Sequence, residues 1–135
     1  MTANERIRRR WMPWAWAALI FVLLSLPAGL VPEEEAMESW LPLWLQAPLE
    51  LWGDKIVHAG LFAVLAFLAW RSRPERWCKG FLWCAAYGAL TELYQLFLPY
   101  RSAEWGDVAA DVGGVALVAV VLVLFRPGDR GGTAR

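Results

Sequence analysis

The sequence predicts an all-α fold, a four-helix transmembrane bundle with a short interfacial segment between helices 1 and 2. Three observations carry that prediction. Hydrophobic residues make up 59% of the 135 and charged residues 19%, against about 45–50% and about 25% in a typical soluble domain. The apolar residues fall in long runs bounded by charges, as spanning helices require. Lys and Arg crowd into alternate connections between those runs, the pattern that sets membrane orientation. The length suits one unit, residues 1–135, as a single integral membrane domain. Thirteen Lys+Arg balance thirteen Asp+Glu, which argues against a generally basic nucleic-acid binder. The apolar excess argues against disorder. A β-barrel would alternate polar and apolar residues, and these runs do not.

Helix 1 is expected at about 11–31, inside the uncharged run Trp11 to Pro32. Its apolar stretch is longer than that of a secretory signal, and no clean small-residue cleavage site follows, so it is expected to be retained. Residues 32–50 combine Glu33, Glu34 and Glu35 with Trp40, Leu41, Leu43, Trp44 and Leu45. Those apolar side chains are too many for a solvated loop, and Pro42 and Pro48 argue against a long helix. A short segment lying on the outer leaflet is expected, with a lid as the alternative. Helix 2 is expected at about 51–70. Its uncharged run, Ile56 to Trp70, holds only 15 residues, so Asp54 and Lys55 fall at the membrane boundary and His58 inside it. Helix 3 is expected at about 79–99 and helix 4 at about 106–125, each interrupted by acids, Glu92 in one and Asp111 in the other.

Eleven of the thirteen cations, from Arg6 to Arg10, Arg71 to Lys79 and Arg126 to Arg135, lie on one side of a four-helix topology. Only Lys55 and Arg101 lie on the other. Both termini are therefore expected in the cytoplasm, with the protein in the cytoplasmic membrane. Eight of ten tryptophans sit near the expected boundaries, as an aromatic belt does. Cys78 and Cys84 have neither metal spacing nor an oxidising context and are read as small buried apolar residues. Helix 4 carries Gly106, Ala110 and Gly114 at four-residue spacing. Small residues in such a row allow close approach, here expected against Ala85, Gly88 and Ala89 of helix 3, or in a homodimer.

Ionisable residues inside spans are costly and mark function by default. At 1.5 Å per residue, His58 lies about 4.5 Å below Lys55, Glu92 about 10 Å below the outer end of helix 3, and Asp111 about 7 Å into helix 4. Three helices thus place polar groups in the same outer third of the bilayer. Asp54 and His58, Glu92 and Gln95, and Asp107 and Asp111 share helix faces at spacings of three or four. One outward-facing pocket is expected to gather Lys55, His58, Glu92, Gln95, Arg101, Asp107 and Asp111. Gln95 and His58 are the expected partners of Glu92, and Lys55 and Arg101 those of Asp107 and Asp111. Lys55 and Arg101 suit a phosphate or carboxylate headgroup. The surplus carboxylates must be met by protons, a metal or a cationic part of a ligand. No serine or cysteine nucleophile stands beside them, and no zinc signature is present. No metal is predicted and no cofactor is required. His58, Glu92 and Asp111 are the candidates for acid–base catalysis.

Asp54-Lys-Ile-Val-His58, Glu92-Leu-Tyr-Gln95, Arg101-Ser102 and Asp107-Val-Ala-Ala-Asp111-Val-Gly-Gly114 occur in that order. In this the chain resembles the VanZ-like family of small membrane proteins, over about residues 51–124. The family pattern usually has Asn where this chain has Asp111. The family takes its name from a protein associated with resistance to the glycopeptide teicoplanin. The resemblance implies a cell-envelope role with membrane lipids and a lipid-linked envelope precursor as partners. The first expectation is a protein that binds or modifies a lipid-linked or surface anionic group. A membrane-embedded lipid enzyme using His58 and the carboxylates is the second, and a non-catalytic assembly protein the third. A transporter is disfavoured, because no polar pathway continues to the cytoplasmic side.

Overall fold

The computed structural model describes residues 3–26, 42–99 and 104–125. Four α-helices make up almost all of it: α1 (Ala3–Ser25), α2 (Leu43–Ser72), α3 (Trp77–Gln95) and α4 (Trp105–Leu124), with a 3-10 turn at Pro74–Arg76 between α2 and α3. The all-α, four-helix prediction holds. The outer segment expected at 32–50 lies outside the described residues up to position 41.

The helix limits differ from the expected ones for identifiable reasons. α1 starts at Ala3 and runs through its arginines, and Pro13 lies inside it. Charged residues end the apolar run but not the helix, which continues into water without difficulty. α2 begins at Leu43, so Pro48 does not prevent a long helix. Pro48 lies in the second turn, where it removes one backbone hydrogen bond without ending the helix. The 30 residues of α2 measure about 45 Å, well beyond a hydrocarbon core of about 30 Å. The part apolar enough to cross a membrane is Trp52–Ser72. α3 stops at Gln95, short of the expected 99. Pro99 disfavours helical geometry at Leu98, and the chain leaves through turns that close Phe97 N–H on the Tyr94 carbonyl and Leu98 N–H on the Gln95 carbonyl, each at 3.0 Å.

Among the described residues two helices, Trp52–Ser72 and Trp105–Leu124, are long and apolar enough to cross a membrane. The pattern of exposure fits a lipid environment. Leu82, Leu90, Phe97, Leu117, Val123 and Leu124 face outward, while His58, Thr91, Glu92, Gln95, Asp107 and Asp111 are buried. Water-soluble domains bury charged residues only rarely. In hydrocarbon the same distribution is the economical one, because polar side chains must find partners inside.

Each helix commits one stripe to the interior. On α2 it is His58, Phe62, Leu65, Ala66 and Ala69, and on α3 it is Phe81, Cys84, Gly88, Thr91, Glu92 and Gln95. These spacings of three and four are those of one helix face. The stripes change character along their length. Ala17, Ile20, Phe62, Leu65, Ala69, Phe81, Cys84 and Val115 form an apolar core, and the polar residues lie beyond it toward the start of α2. Cys84 is buried in that core as expected, whereas Cys78, expected to be buried too, is exposed at the first turn of α3, and both are free.

The close approach of helix 4 is present, but its main neighbour is α2 rather than α3. Gly114 packs on the backbone of Ala59, where any side chain would collide with the Ala59 carbonyl oxygen. Gly106 lies under the aliphatic chain of Lys55, whose Cε is 2.7 Å from where a Cβ would stand. A row of small residues announces a close neighbour without saying which helix supplies it. α1 is fastened through backbone carbonyls. Tyr87 Oη donates to the Ala17 carbonyl at 2.7 Å, and Trp16 Nε1 donates to the Leu61 carbonyl at 3.0 Å.

Candidate functional site

The polar ends of the three interior stripes meet at the level of His58. This is the chain's single histidine, 2% exposed. It sits one turn above Phe62 on the interior face of α2, so the imidazole must point into the bundle. Its Nδ1 is 3.0 Å from Asp111 Oδ1, and Asp111 is fully buried. Its Nε2 is 4.0 Å from Asp54 Oδ1 on the preceding turn. The ring is therefore oriented between a buried carboxylate and a mostly exposed one. A carboxylate held against one imidazole nitrogen sets which nitrogen carries the proton and directs the other outward.

Asp111 enters this pair because Gly88 makes room for it. A Cβ at Gly88 would stand 2.9 Å from Asp111 Oδ2 and 3.2 Å from a ring carbon of Phe62. Asp111 Oδ2 itself has no hydrogen-bond partner among the described residues.

Glu92 comes from α3 at the same level. Its Oε2 accepts the Glu104 backbone N–H at 3.3 Å, which ties the start of α4 to the end of α3. Gln95, one turn along the same face, completes its environment. In the orientation that suits its neighbours the Gln95 amide donates to Glu92 Oε1 at 3.1 Å and Oε2 at 3.2 Å. The opposite orientation gives that nitrogen to the Leu24 carbonyl of α1 at 3.3 Å. Thr91 is not available as a nucleophile in this arrangement, since its hydroxyl donates to the Gly88 carbonyl at 2.7 Å.

Lys55 stands at the mouth. Its Nζ is 3.1 Å from Glu104 Oε2 and 3.4 Å from Asp107 Oδ1. Asp107 is buried, whereas the Glu104 side chain is 54% exposed. The ammonium therefore bridges an interior carboxylate to a surface one.

Of the seven residues expected to converge, the structure brings together Lys55, His58, Glu92, Gln95, Asp107 and Asp111. Arg101 lies outside the described residues. Two of the expected pairings differ. Asp111 pairs with His58 and not with Lys55, because Lys55 is a turn nearer the mouth and level with Asp107. Glu92 takes Gln95 and a backbone N–H as hydrogen-bond partners, while His58 is engaged with Asp111.

Two contributors are undervalued by sequence reasoning. Glu104, an ordinary loop charge when read alone, is the nearest partner of Lys55 and a backbone donor to Glu92. Gly88 shapes the seat of Asp111. Its position in the series Gly88, Thr91, Glu92, Gln95 is the available signal, since that series is one helical face.

The donor set also has the character of a metal site. His58, Glu92 and Asp111 each offer one ligand atom, and these lie within 4.8 Å of one another. Asp54, His58 and Asp107 form a second such set. An imidazole with two carboxylates suits a divalent transition metal. No local spacing in the sequence announces it, because the three groups come from three helices.

A family model described as VanZ/LLP1 matches residues 13–126. No curated protein and no solved structure matches the chain.

Proposed function

The chain belongs to the VanZ/LLP1 family and is a membrane protein, and from that premise we propose that it spans the cytoplasmic membrane four times with both termini in the cytoplasm. In this reading the polar centre around His58 opens to the outer leaflet. There it binds or modifies a lipid-linked or surface anionic group, in a cell-envelope role that includes tolerance of the glycopeptide teicoplanin. The observation that carries the reading is the His58–Asp111 pair, buried in the bundle with Glu92 and Asp107 within 4.8 Å of the imidazole and with Lys55, paired to Asp107 and Glu104, at the mouth. A single buried ion pair is often neutral for stability, so holding helices together is a poor reason for gathering this many charges. Recognition of a charged ligand is a better one. Lys55, with Arg101 from the segment between α3 and α4, supplies the cations that meet the ligand's phosphate or carboxylate.

A second reading, a lipid enzyme, is favoured by one particular feature. The imidazole is held at Nδ1 by Asp111, and its Nε2 faces the exposed Asp54. That is the geometry of a positioned general base, with His58 taking a proton from a hydroxyl or water of the substrate.

The test is teicoplanin susceptibility of a sensitive host expressing the protein, with membrane insertion followed by fractionation. His58→Ala and Arg101→Ala are expected to insert as the unaltered protein does and to lose the protection entirely. Protection that survives both substitutions would remove the polar centre from the function. A protein that inserts but protects no host would remove the link to the glycopeptide.

A further inference from the structure

About 20 Å along α2 from His58, at 1.5 Å per residue, the other end of the bundle holds a second polar feature of opposite sign. Arg10, Pro13 and Trp14 of α1, Ala69 and Ser72 of α2, Arg73 and Arg76 of the connection, and Lys79, Gly80 and Trp83 of α3 line an open cavity of about 280 Å³. Four cations line it and no acid does. Glu75 belongs to the same connection yet is not part of the lining. None of Arg10, Arg73, Arg76 and Lys79 makes an ion pair with a described residue. Its floor is apolar, with buried Pro13 and Ala69. One wall is the edge-to-face pair Trp14–Trp83, with ring centroids 5.0 Å apart.

We propose that this cavity binds the phosphate headgroup of an anionic phospholipid from the leaflet at the arginine-bearing end. Unpaired guanidinium and ammonium groups around one concavity form a phosphate site, with arginine supplying paired donors. Basic pockets between helices at a membrane surface take anionic headgroups in this way. The size agrees, lying just below the range of about 300–1,000 Å³ for sites that engulf a whole drug-sized ligand. A lipid needs only its headgroup enclosed. Its chain has a track to follow, because Ala18 and Phe21 continue from Trp14 on the same stripe of α1 and are exposed. Indole rings at this level sit where headgroup meets hydrocarbon.

Cations at this end also serve to orient the chain in the membrane, but orientation has no need of a cavity. Charges placed anywhere in the two segments would do. Here they converge from α1, the connection and α3 on one hollow, leaving Arg8 and Arg71 outside it.

Native mass spectrometry of the detergent-solubilised full chain tests this, with dioleoylphosphatidylglycerol against dioleoylphosphatidylcholine. Phosphatidylglycerol should be retained about tenfold better, and the triple variant Arg73→Gln/Arg76→Gln/Lys79→Gln should bind both lipids equally. The double variant Arg8→Gln/Arg71→Gln, which removes charge from the same segments but not from the lining, should keep the preference. Gly80→Leu fills the hollow and leaves every charge in place. A Cβ there meets only the Ala69 methyl at 3.6 Å, so the helix tolerates it, and it too should lose the preference. Equal binding of the two lipids by the unaltered protein would overturn the proposal. So would equal loss in the triple and the double variants, or full retention in Gly80→Leu. Displacement of the lipid by millimolar glycerol 3-phosphate would overturn it in favour of a soluble phosphate ligand.

Discussion

Midway along α2, His58 and Asp111 are buried 3.0 Å apart, and the buried Glu92 and Asp107 beside them are met by an amide and a backbone N–H and by a lysine. Past the end of the same helix, Arg73, Arg76 and Lys79 are exposed and make no ion pair with a described residue, Glu75 between them included. One region has withdrawn most of its charges from solvent and paired them internally, with Asp111 Oδ2 the buried atom left over among the described residues. The other holds its charges at the rim and leaves them unsatisfied. The contrast teaches where each region's specificity resides. Buried polar groups must keep their partners, since a lost partner costs the full desolvation of the group left behind. Their geometry is therefore set before any ligand arrives. The rim cations are set by nothing but their own helices and can adapt to what they meet.

The sharpest way to break the first region is through its backbone. Gly114→Leu drives a side chain into the Ala59 carbonyl, a contact no rotamer relieves, and should cost more than about 3 kcal/mol. Loss of monodisperse protein on detergent gel filtration would register it. Gly113→Ala, one residue away with nothing within 4 Å of its Cβ, should pass unnoticed in the same assay.

Asp111 separates charge from hydrogen bonding. Asp111→Leu leaves the His58 Nδ1 without its partner and should cost about 1–3 kcal/mol. Asp111→Asn keeps an oxygen 3.0 Å from that nitrogen and should cost less than about 1 kcal/mol. Thermal unfolding in detergent checks the order of the two. An asparagine variant as damaged as leucine would mean that the negative charge itself holds the centre together.

Lys55→Met is a smaller perturbation. It strips a half-buried ammonium from buried Asp107 and exposed Glu104. Surface pairs are worth about 0–1 kcal/mol, and breaking a fully buried pair costs about 3–5 kcal/mol. With one partner of each kind, a loss of about 1–2 kcal/mol is expected, to be read from the same melting curves. Smallest of all, Arg73→Gln or Arg76→Gln should change stability by no more than about 0.5 kcal/mol, as at other exposed positions. A larger loss at either would erase the distinction between the two ends.

Much of the polar centre is legible because membrane-spanning sequence has a quiet background. In runs of leucine, valine and alanine, Glu92 and Asp111 stand out, and depth counted at a fixed rise per residue places them level with His58. Helix faces are equally readable from spacing, as Glu92 with Gln95 and Asp107 with Asp111 show. The pairing of side chains across helices is less readable. It depends on rotation and axial offset, which is why Asp111 is expected to meet Lys55 and instead meets His58. The glycine row of α4 reveals close approach but not that Ala59 of α2 supplies the surface. Helix starts are misread where charge is taken for a break, at the arginines of α1. The basic cavity could not be foreseen, because cations in a connection expected to be cytoplasmic already have a sufficient explanation in topology.

In the proposed topology the polar centre and the basic cavity face opposite sides of the membrane, with the polar centre outside. Labelling of intact cells with a membrane-impermeant maleimide measures this directly. Glu104→Cys introduces a thiol at the mouth of the polar centre, at a side chain 54% exposed. The native Cys78, exposed beside the basic cavity, provides the reference at the other end, and Cys78→Ser provides the background in which position 104 is read alone. The thiol introduced at position 104 is expected to be labelled in intact cells, and Cys78 only after the membrane is permeabilised. Labelling of Cys78 in intact cells, with the thiol at position 104 protected until permeabilisation, would contradict it.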